Sequence, residues 1–203
     1  IKKENICKYV MKIGILDLEI NNIKSIYSAL SSLGETYMIN NINQYKTNTS
    51  LIVLPGNGKF QEGMKSLKLK KFDTLIKDTV SNNQKVLGIC LGMQLMMSDS
   101  EESPGCEGLD LVNGSVKLVS SAVAKIPLLG WYNVNFKNTD FSDSTYFFNN
   151  KYMVTPKNEN IIFGSIDNYL PAYINYKNLY GLQFHPEKSS KQGIKILKSI
   201  LDE

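Results

Sequence analysis

The sequence predicts an α/β fold with a mostly parallel central sheet, helices on its faces and an antiparallel extension toward the C-terminus. In the first half, short apolar strands alternate with segments of helical periodicity, which is typical of parallel strands joined by crossover helices. From Gly108 onward, short alternating strands follow one another without helices between them. We expect one domain over residues 11–203, preceded by a basic and polar tail over residues 1–10.

The first half of the chain supplies the predicted parallel strands. They are short and apolar, and they cover residues 12–16, 37–40, 51–54 and 86–89. A helix is predicted over residues 22–33 and ended by Gly34 at its C′ position, and further helical segments run up to Val80. Residues 41–50 predict a loop or a frayed helix. In such sheets the ligand binds outside the carboxyl ends of the strands, where the Pro55–Gly58 loop and Cys90 both lie.

The second half predicts the antiparallel extension. Its alternating segments cover residues 111–118, 131–136, 145–148, 152–155, 161–166, 172–176 and 179–184. We expect this extension to carry the single histidine, His185, back to Cys90. An amphipathic helix over residues 192–201 is predicted to close the fold.

The pattern Gly88-x-Cys90-x-Gly92 stands where a strand passes into a helix. Small residues flank the nucleophile of a strand-to-helix elbow because the turn is too sharp for Cβ atoms on either side. The helix N-terminus favours the thiolate, and its unpaired N–H groups, that of Leu91 first, can donate to an oxyanion. The alternative is a buried structural cysteine at a strand end.

His185 and Glu187 lie two residues apart in a segment that predicts a strand, so their side chains can share a face. A thiol nucleophile needs a base, and the base needs an acceptor that fixes its tautomer and stabilises the imidazolium. Cys90, His185 and Glu187 can fill these three roles. The alternative is a surface histidine beside a solvated glutamate.

With these motifs the sequence resembles the class I glutamine amidotransferases, which have a flavodoxin-like fold. The segments that carry the resemblance cover residues 88–94 and 183–190, and related segments extend over nearly the whole chain from Met11. Met93, Lys188 and the pair Ser189-Ser190 favour one branch, the glutaminase subunit of imidazole glycerol phosphate synthase.

The resemblance implies hydrolysis of L-glutamine to L-glutamate and ammonia through a cysteine thioester. It implies that Cys90, His185 and Glu187 are catalytic, that the oxyanion is held by the backbone of Asn57, Gly58 and Leu91, and that glutamine is bound by Gly56, Gln94 and Glu102. The alternatives are a plain strand-ending turn for the loop, a helix-surface position for Gln94 and a solvated charge for Glu102. No cofactor or metal is implied.

The resemblance also implies a partner that uses the ammonia, namely a (β/α)₈ barrel cyclase of histidine biosynthesis in a heterodimer. Trp131 and Lys188 match positions at that interface. The sequence departs from the family pattern at residues 18–21, at Leu128 and at residues 149–151, where the family has His-Ser-Tyr. Three alternatives therefore stay open: a paralogous subunit that supplies ammonia for amidination of a surface sugar, a catalytically silent binding subunit, and a γ-glutamyl hydrolase that works alone.

Composition narrows the class of protein further. The 203 residues carry a net charge of +4, and all 23 basic residues are lysine, so bidentate guanidinium recognition of bases or phosphates is excluded. The lysines are scattered, which argues against nucleic-acid binding. No apolar run approaches the ~20 residues that span a bilayer. Three widely spaced cysteines (Cys7, Cys90 and Cys106) argue against disulfides or zinc and indicate a reducing cytoplasm.

Overall fold

A computed structural model of the chain describes residues 11–20, 23–137 and 139–203. The predicted tail over residues 1–10, with Cys7, lies outside the described residues, as do residues 21, 22 and 138. The strands are β1 (Lys12–Leu16), β2 (Glu35–Ile39), β3 (Leu51–Leu54), β4 (Lys85–Ile89), β5 (Asp99–Ser100), β6 (Gly114–Leu118), β7 (Leu128–Phe136), β8 (Ser144–Asn150), β9 (Tyr152–Pro156), β10 (Ile162–Ile166), β11 (Leu170–Tyr176) and β12 (Leu179–Leu182). The α-helices are α1 (Lys24–Ser31), α2 (Phe60–Leu69), α3 (Phe72–Ser81), α4 (Leu91–Leu95) and α5 (Ser190–Asp202), and 3₁₀ turns cover Ile42–Gln44 and Pro186–Lys188.

The central sheet has the strand order β2-β1-β3-β4-β12-β11-β10-β7-β8. Its first five strands are mutually parallel, and the remaining four are antiparallel. The predicted fold class is therefore confirmed. The predicted strands over residues 12–16 and 51–54 coincide with β1 and β3, because a strand covered on both faces must be apolar along its whole length.

The antiparallel extension differs from the prediction in two ways. Residues 179–184 were expected to pair as part of the extension, but β12 runs parallel to β4 and antiparallel to β11. All four residues of β12 are buried, and an apolar run of this length does not reveal the direction of its neighbour. In addition, β6 and β9 leave the main sheet and form a separate three-stranded sheet with β5.

The first helix ends earlier than its pattern predicts. Helix α1 ends at Ser31, and Gly34 does not adopt the left-handed conformation expected of a C′ glycine. A Cβ at Gly34 would instead lie 2.6 Å from the carbonyl oxygen of Met11, so the glycine permits close approach to the chain that precedes β1. The predicted start of this helix at residue 22 lies outside the described residues.

Two hydrophobic clusters cover the two faces of the central sheet. Helices α1 and α5 pack against one face, with Ile26 and Ile196 in the first cluster. Helices α2, α3 and α4 pack against the other, with Phe60, Ile76 and Leu95 in the second. Helices on both faces leave the carboxyl edge of the parallel strands open, and that edge is where the site forms. Within the described part of the chain, no helix has the length and apolar character needed to cross a membrane.

Candidate active site

The candidate site is built on three neighbouring parallel strands. Strands β3, β4 and β12 lie side by side, so the segments that follow them meet at one edge of the sheet. The Pro55–Gly58 loop follows β3, Cys90 follows β4, and the segment with His185 follows β12. The backbone N–H of Cys90 donates to the carbonyl oxygen of Leu182 at 2.6 Å, which joins the second and third of these segments directly.

Cys90 occupies a sharp turn between β4 and α4. Its backbone has φ 54° and ψ −110°, a conformation that favours glycine over any residue with a Cβ atom. The two flanking glycines allow the turn to pack closely. A Cβ at Gly88 would lie 2.6 Å from the backbone nitrogen of Met93, and one at Gly92 would lie 1.7 Å from the carbonyl oxygen of Leu54. The structure thus places Cys90 at the elbow that the Gly-x-Cys-x-Gly pattern predicts.

His185 and Glu187 form a buried pair beside Cys90. His185 Nδ1 lies 2.9 Å from Glu187 Oε1, and the two side chains are 6% and 9% exposed. Burial opposes the charged imidazole, but hydrogen bonding and charge interactions with Cys90 and Glu187 outweigh it and raise the pKa of His185 to about 10. The alternative of a surface histidine beside a solvated glutamate is therefore wrong.

Ser189 fixes the backbone that carries the histidine. Its buried hydroxyl donates to the carbonyl oxygen of His185 at 2.6 Å and accepts from the backbone N–H of Phe147 at 2.9 Å. The N–H of His185 donates to the carbonyl oxygen of Phe147 at 2.8 Å. The segment after β12 is thereby bound to β8 on the antiparallel side of the sheet, which restricts the positions that the imidazole can adopt.

Gln183 is a site residue that the sequence interpretation missed. It is fully buried, and its Nε2 donates to Cys90 Sγ at 3.8 Å. Its Oε1 accepts from Gln94 Nε2 at 3.2 Å, and Gln94 Nε2 also donates to the carbonyl oxygen of Tyr152 at 2.9 Å. The predicted substrate residue Gln94 is thus linked through Gln183 to the thiol. Gln183 opens the segment over residues 183–190 that carries the family resemblance, and this is the signal that could have identified it.

A cavity of about 240 Å³ opens beside the thiol and gathers most of the predicted site residues. Its lining includes Asn57, Gly58, Cys90, Leu91, Gln94 and Glu102 together with residues 149–152. Among the described residues that line it, Glu102 and Lys151 carry the formal charges, one of each sign. The cavity therefore brings together Cys90, the first residue of α4 and two residues of opposite formal charge.

Two predicted residues have further structural roles. Glu102 Oε2 accepts from the backbone N–H of Phe60 at 2.8 Å and so caps the first turn of α2, in addition to lining the cavity. Gly56 does not line this cavity. A Cβ there would lie 2.6 Å from the Cβ of Leu91, and Gly56 lines a second cavity of about 110 Å³ together with His185 and Glu187.

Comparison with known proteins gives consistent results at three levels. A family model described as "Glutamine amidotransferase class-I" matches residues 3–202. The chain is 35% identical over 197 residues to the imidazole glycerol phosphate synthase subunit HisH of Bacillus subtilis, covering 91% of this chain and 93% of the relative. It is 33% identical over 199 residues to the subunit of the same name from Thermotoga maritima, covering 95% and 97%.

Solved structures agree in fold at lower identity. A crystal structure titled as a glutamine amidotransferase superposes with a TM-score of 0.77 at 14% identity, over 93% of this chain and 97% of the other. A structure of PurLQS from Thermotoga maritima gives a TM-score of 0.74 at 17% identity, over 95% and 98%. At these identities the likeness establishes the fold and not the chemistry.

Proposed function

Since the chain belongs to the class I glutamine amidotransferases, and within them to the HisH family, we propose that it hydrolyses L-glutamine to L-glutamate and ammonia through a thioester on Cys90. The observation that carries this proposal is the buried imidazole of His185. Its Nδ1 lies 2.9 Å from Glu187 Oε1, its Nε2 is buried without a hydrogen-bond partner among the described residues, and Cys90 is close enough to raise its pKa. These are the nucleophile, the base and the orienting acceptor that acyl transfer from an amide requires.

The proposed reaction begins with proton transfer from Cys90 to His185. The thiolate then attacks the carboxamide carbon of glutamine, and the carbonyl electron pair moves onto the oxygen, which accepts hydrogen bonds from the backbone N–H of Leu91 and of the Asn57–Gly58 loop. The raised pKa of His185 supports this order, because a more basic imidazole keeps the proton that it receives.

The remaining steps release the two products. The imidazolium gives its proton to the departing nitrogen, so that ammonia leaves and the thioester forms. His185 then takes a proton from water, whose oxygen attacks the thioester carbon. The carbon–sulfur bond breaks, the imidazolium returns its proton to the Cys90 sulfur, and glutamate is released, the proton of its new carboxyl group passing to solvent. Glu187 accepts from Nδ1–H throughout and holds the imidazole in the tautomer that faces the thiol.

Free glutamine suits the cavity because its head group carries both charges. The carboxylate of Glu102 attracts an α-ammonium, and the ammonium of Lys151 attracts an α-carboxylate. Gln94, held by Tyr152 and Gln183, leaves its side-chain carbonyl oxygen for an incoming amide N–H. A peptide-bonded substrate would lack the free α-ammonium or α-carboxylate that these charges match.

We further propose that the ammonia passes to a (β/α)₈ barrel cyclase in a heterodimer of histidine biosynthesis, as the family resemblance implies; the relatives are named as subunits of imidazole glycerol phosphate synthase, so they too belong to an assembly. Free ammonia is lost to solvent unless a second active site lies close by. An exposed apolar surface on β7 supports docking there, since Leu129 and Trp131 are 60% and 53% exposed. Lys188, which lies beside His185 at the second cavity, is the predicted polar contact.

The test compares glutamate release by the unsubstituted protein, Cys90→Ser and Cys106→Ser, each purified with its native partner. We expect Cys90→Ser to lose activity by roughly three orders of magnitude or more, whereas Cys106→Ser keeps it. Full activity in Cys90→Ser would refute the thioester mechanism. The identity of the bound partner separates a histidine-pathway cyclase from a sugar-amidating paralogue.

Two further outcomes separate the remaining alternatives. Equal glutaminase activity with and without a partner would favour a hydrolase that works alone. Failure of a glutamine-derived electrophile to label Cys90, even with the partner bound, would favour a silent binding subunit.

A further inference from the structure

We propose that Ser103 is a positioning residue, whose hydroxyl caps the helix that follows the Asn57–Gly58 loop and so holds the backbone N–H groups of that loop toward the oxyanion. This inference rests on the proposed function, because the loop has an oxyanion to bind only if a thioester forms on Cys90. Ser103 was not among the predicted site residues, and it is not one of the described residues that line the 240 Å³ cavity.

Helix α2 takes its cap from outside its own segment. Its N-cap residue is Lys59, whose side chain makes no capping hydrogen bond within the part of the chain that the structure describes. The first N–H groups of an α-helix have no partner inside the helix, so they need acceptors from elsewhere. Only Lys59 separates Gly58 from Phe60, the first residue of α2. The acceptors that hold this end of the helix therefore also hold the end of the loop.

Two side chains from a distant segment supply these acceptors. Glu102 Oε2 accepts from the backbone N–H of Phe60 at 2.8 Å. Ser103 Oγ accepts from the backbone N–H of Gln61 at 3.3 Å. The segment is itself fixed, because the buried Ser100 hydroxyl accepts from the N–H of Glu102 at 3.2 Å and the Ser100 carbonyl oxygen accepts from the N–H of Ser103 at 3.1 Å. The two acceptors thus reach α2 from an anchored turn.

The other end of the loop is held by close packing. A Cβ at Gly56 would lie 2.6 Å from the Cβ of Leu91, so the loop lies directly against the first residue of α4. Between the two anchors, Gly58 has φ 142°, in a region that favours glycine and lets the backbone turn at little cost. The orientation of the loop N–H groups therefore depends on both ends, and a loosened cap would misdirect them.

Ser103 separates this role from substrate binding, whereas Glu102 does not. Glu102 lines the cavity and is proposed to attract the α-ammonium of glutamine, so its substitution would disturb two functions at once. The body of α2 should stay in place without the Ser103 hydroxyl, because a Cβ at Gly63 would lie 2.9 Å from Leu95 Cδ1 and helices α2 and α4 are thus in close contact. We therefore expect a change confined to the first turn of α2 and the loop before it.

The experiment compares Ser103→Ala, Ser103→Thr and a matched control, Ser50→Ala, each purified with its native partner. The Ser50 hydroxyl also accepts from a backbone N–H of a distant segment at 3.3 Å, that of Lys12. Ser50 precedes β3, however, and so lies at the opposite edge of the sheet from the site. Glutamate release gives kcat and KM. Mass spectrometry of the Cys90 peptide gives the rate of alkylation by iodoacetamide, a reaction that forms no oxyanion.

We expect Ser103→Ala to lower kcat roughly 3- to 10-fold, within the range of a lost helix cap, because the oxyanion donors act in the transition state. KM and the alkylation rate should change less than about 2-fold, since neither depends on an oxyanion. Ser103→Thr keeps a hydroxyl and should restore kcat to within about 2-fold. Ser50→Ala should leave all three values unchanged.

An unchanged kcat in Ser103→Ala, or no recovery of kcat in Ser103→Thr, would overturn the inference. So would an equal fall of kcat in Ser50→Ala or a parallel fall in the alkylation rate, because either would indicate a general loss of structure. If the unsubstituted protein and its partner release no glutamate although iodoacetamide labels Cys90, the proposed function itself fails, and the inference fails with it.

Discussion

The backbone of Cys90 predicts that glycine stabilises the protein more than alanine does at this position, which is the reverse of the usual order. At φ 54° and ψ −110°, a residue with a Cβ atom is strained by about 1–3 kcal/mol, and glycine is not. Glycine also loses about 0.5–1 kcal/mol more conformational entropy than alanine on folding. Cys90→Gly and Cys90→Ala both remove the thiol and its contact with His185, so those losses cancel between them. We therefore expect the glycine variant to be more stable than the alanine variant, by about 0–2.5 kcal/mol.

Urea unfolding of both variants tests this expectation through the difference in their free energies of unfolding. The matched control is the pair Lys65→Gly and Lys65→Ala, at an exposed position inside α2. There the alanine variant should be the more stable by about 1 kcal/mol. If alanine is favoured at position 90 by as much as it is at position 65, the elbow is not strained, and the argument that the turn holds the sulfur in an unusual position is wrong.

Three further outcomes are expected. Gln183→Leu removes the N–H group that contacts Cys90 and should lower kcat by roughly 10-fold, with KM less affected, and should shift the pH profile of iodoacetamide labelling. Because the folded-state pKa of His185 is raised from 6.5 to about 10, its stabilising contribution is complete below pH 6.5 and is lost as the pH rises through about 10. The melting-temperature deficit of Glu187→Gln should therefore be largest near pH 6 and disappear above pH 10; a constant deficit would contradict the charge assignment. Gly92→Ala brings a Cβ to 1.7 Å from a carbonyl oxygen of β3, so we expect a loss of more than about 3 kcal/mol or no folding, measured by soluble yield and urea unfolding.

The sequence was sufficient for the parts of the fold in which local pattern and tertiary environment agree. Strand β3 is buried along its whole length and β1 everywhere but at its first residue, Lys12, so the apolar run marks each strand. The elbow was predictable because a strand, two glycines and a helix leave few alternative turns. The pairing of His185 with Glu187 was predicted from a strand that does not form, because β12 ends at Leu182 and Glu187 lies in the 3₁₀ turn Pro186–Lys188; the two side chains meet through that turn and not through strand alternation.

What the sequence did not reveal depends on contacts between distant segments. The parallel position of β12 beside β4 is set by packing on both faces, which an apolar run of four residues does not encode. Gln183 was missed because its role depends on Cys90 and Gln94, which lie far from it along the chain.

The position of β12 also determines when the protein can first act. A ribosome releases the elbow and β4 long before it makes the segment that follows β12, and β12 must lie between β4 and β11 before His185 can reach Cys90. A nascent chain therefore holds Cys90 without its proposed base, and under the proposed mechanism translation that stops early yields a product that consumes no glutamine. Until β12 has been synthesised, the side of β4 opposite β3 has no strand beside it and is an exposed apolar edge. The last quarter of synthesis is therefore the period in which a chaperone would be of most use.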